Sequence, residues 1–587
     1  MDRLNDEKKS ILPDLRYHLP NRKGFYFAGE MLSDRASLTN TEVWKNIARR
    51  KWVHLLLLGG IGLFAFFHNL DVALFDAAEG LYAIVAREMI RTQQFVHLTY
   101  FGHAYHNKPP LFFWLVALST SLFGENEAAL RLPPALFSLG TMALTYFLGK
   151  TLFSRTAAFW ASLVVATTHV FLWYGPLLLF DSALTFFTTL TLFAWSRAFL
   201  QPTKGWWQVL AFLGMALGTM IKAIHAFVLP AIVVLMFLIA ERDLRPIRAR
   251  PFWVGLFLFC ALLFPYYWIL GSEFHQQFFV EQNLKWSFQP SSITTYLTGK
   301  NAIYRYFLMV WPDLFPWSVL IPSSLALLLS QRPLRRHPQE LFVLLWVIGI
   351  LLMLSLGLQK RERYLLPVVP GFGLMIGYYY DTVFSSSDEK HWATLPFKLL
   401  LGLLTVAYAV GLFFAPYLLH QKWHVPTSVF PMTYVLLMLT LCAMLVYALT
   451  YSKVRIALLT TGMLAIGFMF GVVDIVVPAI DEATSAKRMV AEIKPFLKRP
   501  QDPILVYGAG VTNDDIRYYM YYEHTGVNYI LTGKGLEETV RKNGQILILT
   551  GEQYLNTLQH IPDFSVKTLR EFHRPKDKLF LLAIRLR

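Results

Sequence analysis

The sequence predicts a polytopic α-helical membrane protein with a small α/β domain at its C-terminal end. Three observations carry this. Hydrophobic residues make up 55% of the 587 residues and charged residues only 16%, whereas a soluble domain carries about 25% charged residues. Apolar runs near the length of a membrane-crossing helix recur along most of the chain. After about residue 480 the pattern changes to short apolar stretches separated by polar helical segments.

Residues 1–51 are polar and basic, and include Lys8, Lys9, Arg22, Lys23, Arg49, Arg50 and Lys51. No short apolar segment with a small-residue cleavage site opens the chain, so the first span is expected to serve as an uncleaved anchor. Thirteen spans follow, near 52–70, 128–149, 156–174, 179–200, 206–222, 224–240, 252–271, 308–330, 341–358, 364–380, 397–419, 430–451 and 456–479. Cys260 and Cys442 lie inside such runs and are expected to be buried thiols rather than a disulfide.

Lysine and arginine concentrate in cytoplasmic loops, so their positions test the span count. With the N-terminus in the cytoplasm, five basic loops fall inside: Lys150/Arg155, Arg197/Lys204, Arg242 to Arg250, Arg332 to Arg336, and Lys453/Arg455. Three segments then fall outside: a first loop at 71–127, a second at 272–307, and the tail 481–587. This gives a transmembrane unit over 52–480 and an extracytoplasmic α/β domain after it. The net charge of +16 is read as loop orientation and contact with anionic lipid rather than as a nucleic-acid site. Lys360, Arg361 and Arg363 break the rule by lying outside. Cations there indicate an anion site, a headgroup contact, or a miscounted span.

In the tail, "PILVYG" (503–508), "VNYIL" (527–531), "QILILT" (545–550) and "KLFLLAI" (578–584) read as strands, with helices over 484–498 and 512–523. Gly508-Ala509-Gly510 follows a strand but lacks the third glycine and the lysine of a phosphate loop.

The first outer loop is the most informative segment. Leu81, Ile84, Val85 and Met89 follow helical spacing, and the segment reads as an amphipathic helix in the membrane–water interface. Asp76 and Glu79 stand at its start, three residues apart, where acids either cap free amides or do chemistry. Lys108 precedes Pro109-Pro110 and a strongly apolar stretch. The prolines fix the backbone there, so Lys108 is held near the interface, either to grip a lipid phosphate or to snorkel. His103 and His106, with Asp76 or Glu79, are candidate ligands for a divalent metal. Asp181 opens the fourth span, and an ionisable residue at the edge of an apolar run is a functional candidate. By the topology above, Lys222, His225, Asp313, Arg361, Arg363 and Tyr364 share its outer side. Acids and cations thus gather at one membrane face before an apolar wall, which suits an amphiphile with an anionic head.

These segments resemble the bacterial lipid A aminoarabinose transferases and the protein O-mannosyltransferases, polyprenyl-phosphate-sugar-dependent glycosyltransferases of the GT-C fold. The resemblance rests on "DAAEGLYAIVAREMI" (76–90), "YHNKPPLFFWLVALSTSLFGENEAALRLPPAL" (105–136), "LFDSALTFF" (179–187) and "QKRERYLLPVVPGFGL" (359–374), supported by "FPYYWIL" (264–270) and "WPDLFPW" (311–317). It covers about residues 52–380. Ala78 stands where the family's first acid is expected, Glu79 fits the second acid, and Asp76 fits an upstream one. Asn107 replaces the glutamate of the family's Glu-Lys-Pro motif, while Lys108 matches its lysine and Tyr105 a nearby tyrosine. Asp181, Lys222 and Tyr364 also match family positions.

The resemblance implies a membrane glycosyltransferase moving a sugar from a polyprenyl-phosphate donor to a lipid A-type glycolipid, another glycan or a protein, in a bacterial inner membrane. Lys108, Tyr105, Lys222, Arg361, Arg363 and Tyr364 would bind the lipid phosphate. Glu79, Asp76 and Asp181 would serve catalysis, with inversion at the sugar carbon. The rivals are a transporter or flippase of an anionic amphiphile, which should show repeat symmetry and helices broken at the midplane, and a non-catalytic envelope protein.

Overall fold

The computed structural model describes residues 51–74, 76–276, 302–330, 337–357, 359–386, 394–497, 505–507, 528–530, 533–573 and 578–586. Most of the N-terminal basic segment, most of the second outer loop, Gly508 to Gly510 and the helix expected at 512–523 lie outside them. Residues 1–55 and 56–587 form two units, and of the first only the opening of helix α1 is described.

Before the C-terminal sheet, the described α-helices of eight or more residues are α1 (Lys51–Phe67), α2 (Ala77–Thr92), α3 (Leu111–Phe123), α4 (Glu127–Leu152), α5 (Arg155–Thr167), α6 (Phe180–Leu200), α7 (Trp206–Lys222), α8 (His225–Glu241), α9 (Arg250–His275), α10 (Arg305–Asp313), α11 (Ile321–Ser330), α12 (Pro338–Leu356), α13 (Val369–Ser385), α14 (Leu395–Trp423), α15 (Met432–Thr450), α16 (Val454–Phe470), α17 (Val477–Thr484) and α18 (Ala486–Ile493). A helix stands at each of the thirteen places where a span is expected. Among the described residues, seven are long and apolar enough to cross a membrane, or eight if α10 and α11, bent by 113° at their break, form one span. The other five expected spans fall on α1, α5, α7, α8 and α13, at 13 to 17 residues each. Short helices suffice where protein rather than lipid surrounds them, and α5 is buried along most of its length.

Cys442 is buried as expected, but Cys260 is exposed. Helix α9 carries it and is buried over only 17% of its apolar window, so its outer side faces lipid. Neither thiol is paired.

Helix α2 forms where expected. Asp76 caps it by accepting a hydrogen bond from the Ala78 amide at 2.8 Å. Its apolar face does not rest on lipid. Leu81, Ile84, Val85 and Met89 are buried in a core shared with Phe112, Phe113 and Phe180, and with Val506, Leu549, Leu579 and Leu581 of the C-terminal sheet. A short hairpin, β1 (Thr99–Tyr100) with β2 (His103–Ala104), follows α2.

The C-terminal sheet has five strands: β3 (Leu505–Tyr507), β4 (Asn528–Ile530), β5 (Gln545–Gly551), β6 (Phe564–His573) and β7 (Lys578–Leu586), in the order β4-β3-β5-β7-β6. β3 runs parallel to β4 and β5, while β7 is antiparallel to β5 and β6. The four expected strands are present. β6, at the sheet edge, was not foreseen. Its sequence "FSVKTLREFH" interleaves charges with the apolar positions, as edge strands do.

Candidate functional site

The site is built at the N-terminal ends of α2 and α6, the C-terminal end of α7 and the basic turn before α13. Asp181 occupies the first turn of α6, where the helix dipole favours a carboxylate. It is 3% exposed and paired with Lys222 Nζ at the C-terminal end of α7. The Lys222 ammonium also lies 4.8 Å from the centre of the Tyr364 ring. Arg363 sits between two acids, with Nη1 3.7 Å from Asp76 and Nε 3.6 Å from Asp181. One guanidinium therefore joins the start of α2 to the start of α6. The Asp76 side chain keeps 30% of its surface accessible. Burial raises its pKa against the lowering pull of Arg363 and the Ala78 amide.

Lys108 lines a small cleft with Tyr105, His106, His97, Leu270 and Phe274. Two features shape this cleft. Helix α9 kinks at Gly271, whose φ of 80° suits a residue without Cβ. The C-terminal part of α9 is also tied to its neighbours: the Leu111 amide donates to Tyr266 Oη, which donates to the Met220 carbonyl, and Tyr267 Oη donates to that of Thr219. Burial, and next the charge of Lys222, holds the Lys108 ammonium down to about 8. Tyr105 is 7% exposed and meets Phe113 edge-on.

The structure separates the three cations that broke the loop-charge pattern. Lys360 is a helix cap: Nζ donates to the carbonyls of Leu354 (3.1 Å), Ser355 (2.6 Å) and Gly357 at the end of α12. Arg361 is exposed, and its amide donates to Tyr306 Oη at 3.3 Å. Of the three, only Arg363 enters the acid cluster.

Glu79, only three residues from Asp76, has a different setting. It is 0% exposed and forms a two-pronged ion pair with Arg131 of α4, at 2.7 and 2.8 Å. Its carboxylate has no exposed surface. The expected metal group does not assemble among the described residues: no three His, Cys, Asp or Glu side chains there are placed to hold an ion. His103 is exposed on the hairpin, and Nδ1 of His106 is buried without a hydrogen-bond partner.

Three residues were missed by sequence reasoning. Arg131 lies inside an apolar helix, the same signal that singled out Asp181. Tyr82, on α2, packs edge-on to Phe180 at 4.8 Å, and burial pushes its hydroxyl above the usual phenol range beside Arg363 and Asp181. Tyr174 donates to Glu362 at 2.8 Å at the rim of the site. Neither tyrosine stood out in so aromatic a chain.

Residues 107–269 match the family model described as dolichyl-phosphate-mannose-protein mannosyltransferase. An uncharacterized protein of Aquifex aeolicus is 28% identical over 53% of this chain and 61% of its own length. An undecaprenyl phosphate-α-4-amino-4-deoxy-L-arabinose arabinosyl transferase of Pseudomonas fluorescens is 28% identical over 56% of this chain and 59% of its own. The chain thus spans about six-tenths of the length of these relatives. The crystal structure of ArnT from Cupriavidus metallidurans bound to undecaprenyl phosphate superposes with a TM-score of 0.69, at 17% identity, over 91% of this chain and 98% of that one. The resemblance read from the motifs holds, and this chain has the fold of that structure.

Proposed function

We propose that this chain is a membrane glycosyltransferase that moves a sugar from a polyprenyl-phosphate donor to an acceptor outside the cytoplasm. The observation that carries the reading is a lysine in a cleft, Lys108, within electrostatic reach of a cluster of Asp181, Lys222 and Arg363 that also holds the accessible acid Asp76. The fold shared with a structure that holds undecaprenyl phosphate supports it.

In this reading the donor phosphate lies in the cleft of Lys108 and Tyr105, with Lys222, Tyr364, Arg361 and Arg363 toward the sugar. An acceptor oxygen attacks the anomeric carbon as the bond from that carbon to the phosphate oxygen breaks. The electron pair leaves with the polyprenyl phosphate, and the sugar inverts. Preorganised cations stabilise the charge developing on the leaving phosphate. Asp76 takes the proton if the acceptor is a hydroxyl; a phosphate acceptor is already ionised and needs no base. Asp181 holds Lys222 and Arg363 in place. A divalent ion at His103 and His106 would need further ligands from outside the described residues.

The transferase unit would be 52–480, with the N-terminus cytoplasmic and the loops 71–127 and 272–307 and the tail 481–587 on the outer side of a bacterial inner membrane. The acceptor is a glycolipid of the lipid A type, another glycan or a protein.

The test is mass spectrometry of envelope lipids, glycans and proteins from a deletion strain beside its parent. One acceptor should lose the mass of one sugar while the matching polyprenyl-phosphate sugar accumulates. Lys108→Ala and Asp181→Asn should reproduce that loss with the protein still in the membrane. Unchanged glycoconjugates in the deletion strain, under conditions where the gene is expressed, would end the transferase reading and favour transport.

A further inference from the structure

We propose that Glu79 and Arg131 are positioning residues whose buried ion pair sets the spacing of Asp76 and Asp181, and so the grip of Arg363 between them. The proposal rests on the transferase reading of that site.

Arg131 is 1% exposed, and each of the five N–H donors of its guanidinium has an acceptor. Nε and one Nη2 donor take the two oxygens of Glu79, at 2.7 and 2.8 Å. The other Nη2 donor takes the Ala73 carbonyl at 3.2 Å. The Nη1 donors take the carbonyls of Leu70 (3.2 Å) and Val72 (2.7 Å). Glu79 Oε1 also accepts from the Leu178 amide at 3.0 Å. Four segments therefore meet on one pair: residues 70–73, the first turn of α2, the start of α4, and the segment that enters α6.

The placement of those contacts makes the pair more than a packing feature. Glu79 is three residues after Asp76, in the turn whose amides at Glu79 and Gly80 donate to the Asp76 carbonyl at 2.9 and 3.3 Å. Leu178 is three residues before Asp181. The contact from Glu79 to Leu178 thus ties both acids to one carboxylate. Asp481 of α17 adds an outer brace by accepting from the Ala73 amide at 3.1 Å. A two-pronged pair of planar groups fixes angle as well as distance, which a single contact does not. Arg363 then spans a gap whose width is set by that buried pair.

The test uses the full-length chain in nanodiscs, with a deletion-strain lipid extract supplying donor and acceptor. Glu79→Gln combined with Arg131→Met removes both charges at similar volume, so no lone buried charge remains. Expected are parental affinity for undecaprenyl phosphate, a kcat lower on the order of 100-fold, and an acidic limb of the pH profile that is shifted but present. A parental kcat with an unshifted limb overturns the proposal, since the pair would then serve folding alone. Disappearance of the limb also overturns it, because Glu79 would then be the titrating group. If the double variant fails to fold, Glu79→Asp decides. It keeps the charge but shortens the reach by one methylene. It should lower kcat by roughly tenfold or more with KM for the donor unchanged, and a parental kcat again overturns the proposal. Failure of the parent chain itself to bind undecaprenyl phosphate or turn over the extract would count against the transferase reading instead.

Discussion

Two ion-pair systems begin within one helical turn of each other and are built in opposite ways. Around Arg131 every donor is matched, the Glu79 contacts are 2.7 and 2.8 Å, and neither side chain is more than 2% exposed. Around Arg363 the carboxylates stand off at 3.6 and 3.7 Å, Nε lacks a hydrogen-bond partner, and Asp76 stays accessible. The first arrangement has no valence left for a substrate. The second has a cation whose contacts to both acids are longer than a hydrogen bond, and an acid, Asp76, with one oxygen held by the Ala78 amide and the other facing Arg363 at 3.7 Å, so the guanidinium is free to turn toward a ligand. Adjacent acids in one motif thus divide into a fixed part and a working part. The division follows from which of them is enclosed by a matched arginine.

The sharpest way to break this contrast is to remove the fixed cation. Arg131→Ala leaves Glu79 buried, unpaired and out of water, so the folded state should lose about 3–5 kcal/mol, the usual penalty for breaking a buried pair. Thermal unfolding in detergent should show a large fall in Tm, and a fall under a few degrees would mean Glu79 finds other partners. On the working side, Asp76→Asn should leave Tm nearly unchanged while donor turnover drops on the order of 100-fold, if the acceptor is a hydroxyl. Normal turnover by that variant would exclude Asp76 as base and point to an acceptor that is already ionised.

A smaller effect separates charge from contact. Lys108 is held down to about 8 by burial and by Lys222, and its ammonium form is the one that attracts phosphate. Most of it is charged at pH 7, and the charge is lost as pH rises through about 8. Affinity for undecaprenyl phosphate should therefore fall by up to tenfold per pH unit above that point. Lys108→Arg should flatten the fall, because a guanidinium stays charged. A fall that persists in the arginine variant would assign it to another group.

Much of the fold was legible because apolar run length is a strong signal. Each expected span found a helix, even where the run broke at Asp313 and turned through 113°. The site was legible where a residue conflicts with its surroundings, as Asp181 and Lys108 do. Partnership was not legible. Asp76 and Glu79 look equivalent in the sequence, and only the approach of Arg131, 52 positions further along, separates them. What covers the apolar face of α2 was not legible for a related reason. Its apolar face reports that something apolar covers it, and a protein core fits that pattern as well as lipid does.

Lys360 gives the mildest and cleanest contrast, because the sequence groups it with Arg363 and the structure parts them. Its ammonium binds three carbonyls at the end of α12 and lies 5.2 Å from the Tyr306 ring centre. A cation at a helix C-terminus stabilises by about 0.3–1 kcal/mol, which is a role in folding. Lys360→Met should then lower Tm by only a few degrees and leave KM for the donor at its parental value. Arg363→Lys should behave oppositely, holding Tm while KM or kcat changes, because one ammonium cannot span two carboxylates as a guanidinium does. A tenfold rise in donor KM in the Lys360 variant would place the substrate phosphate nearer the end of α12 than the Lys108 cleft, and the whole basic turn would then belong to the working side.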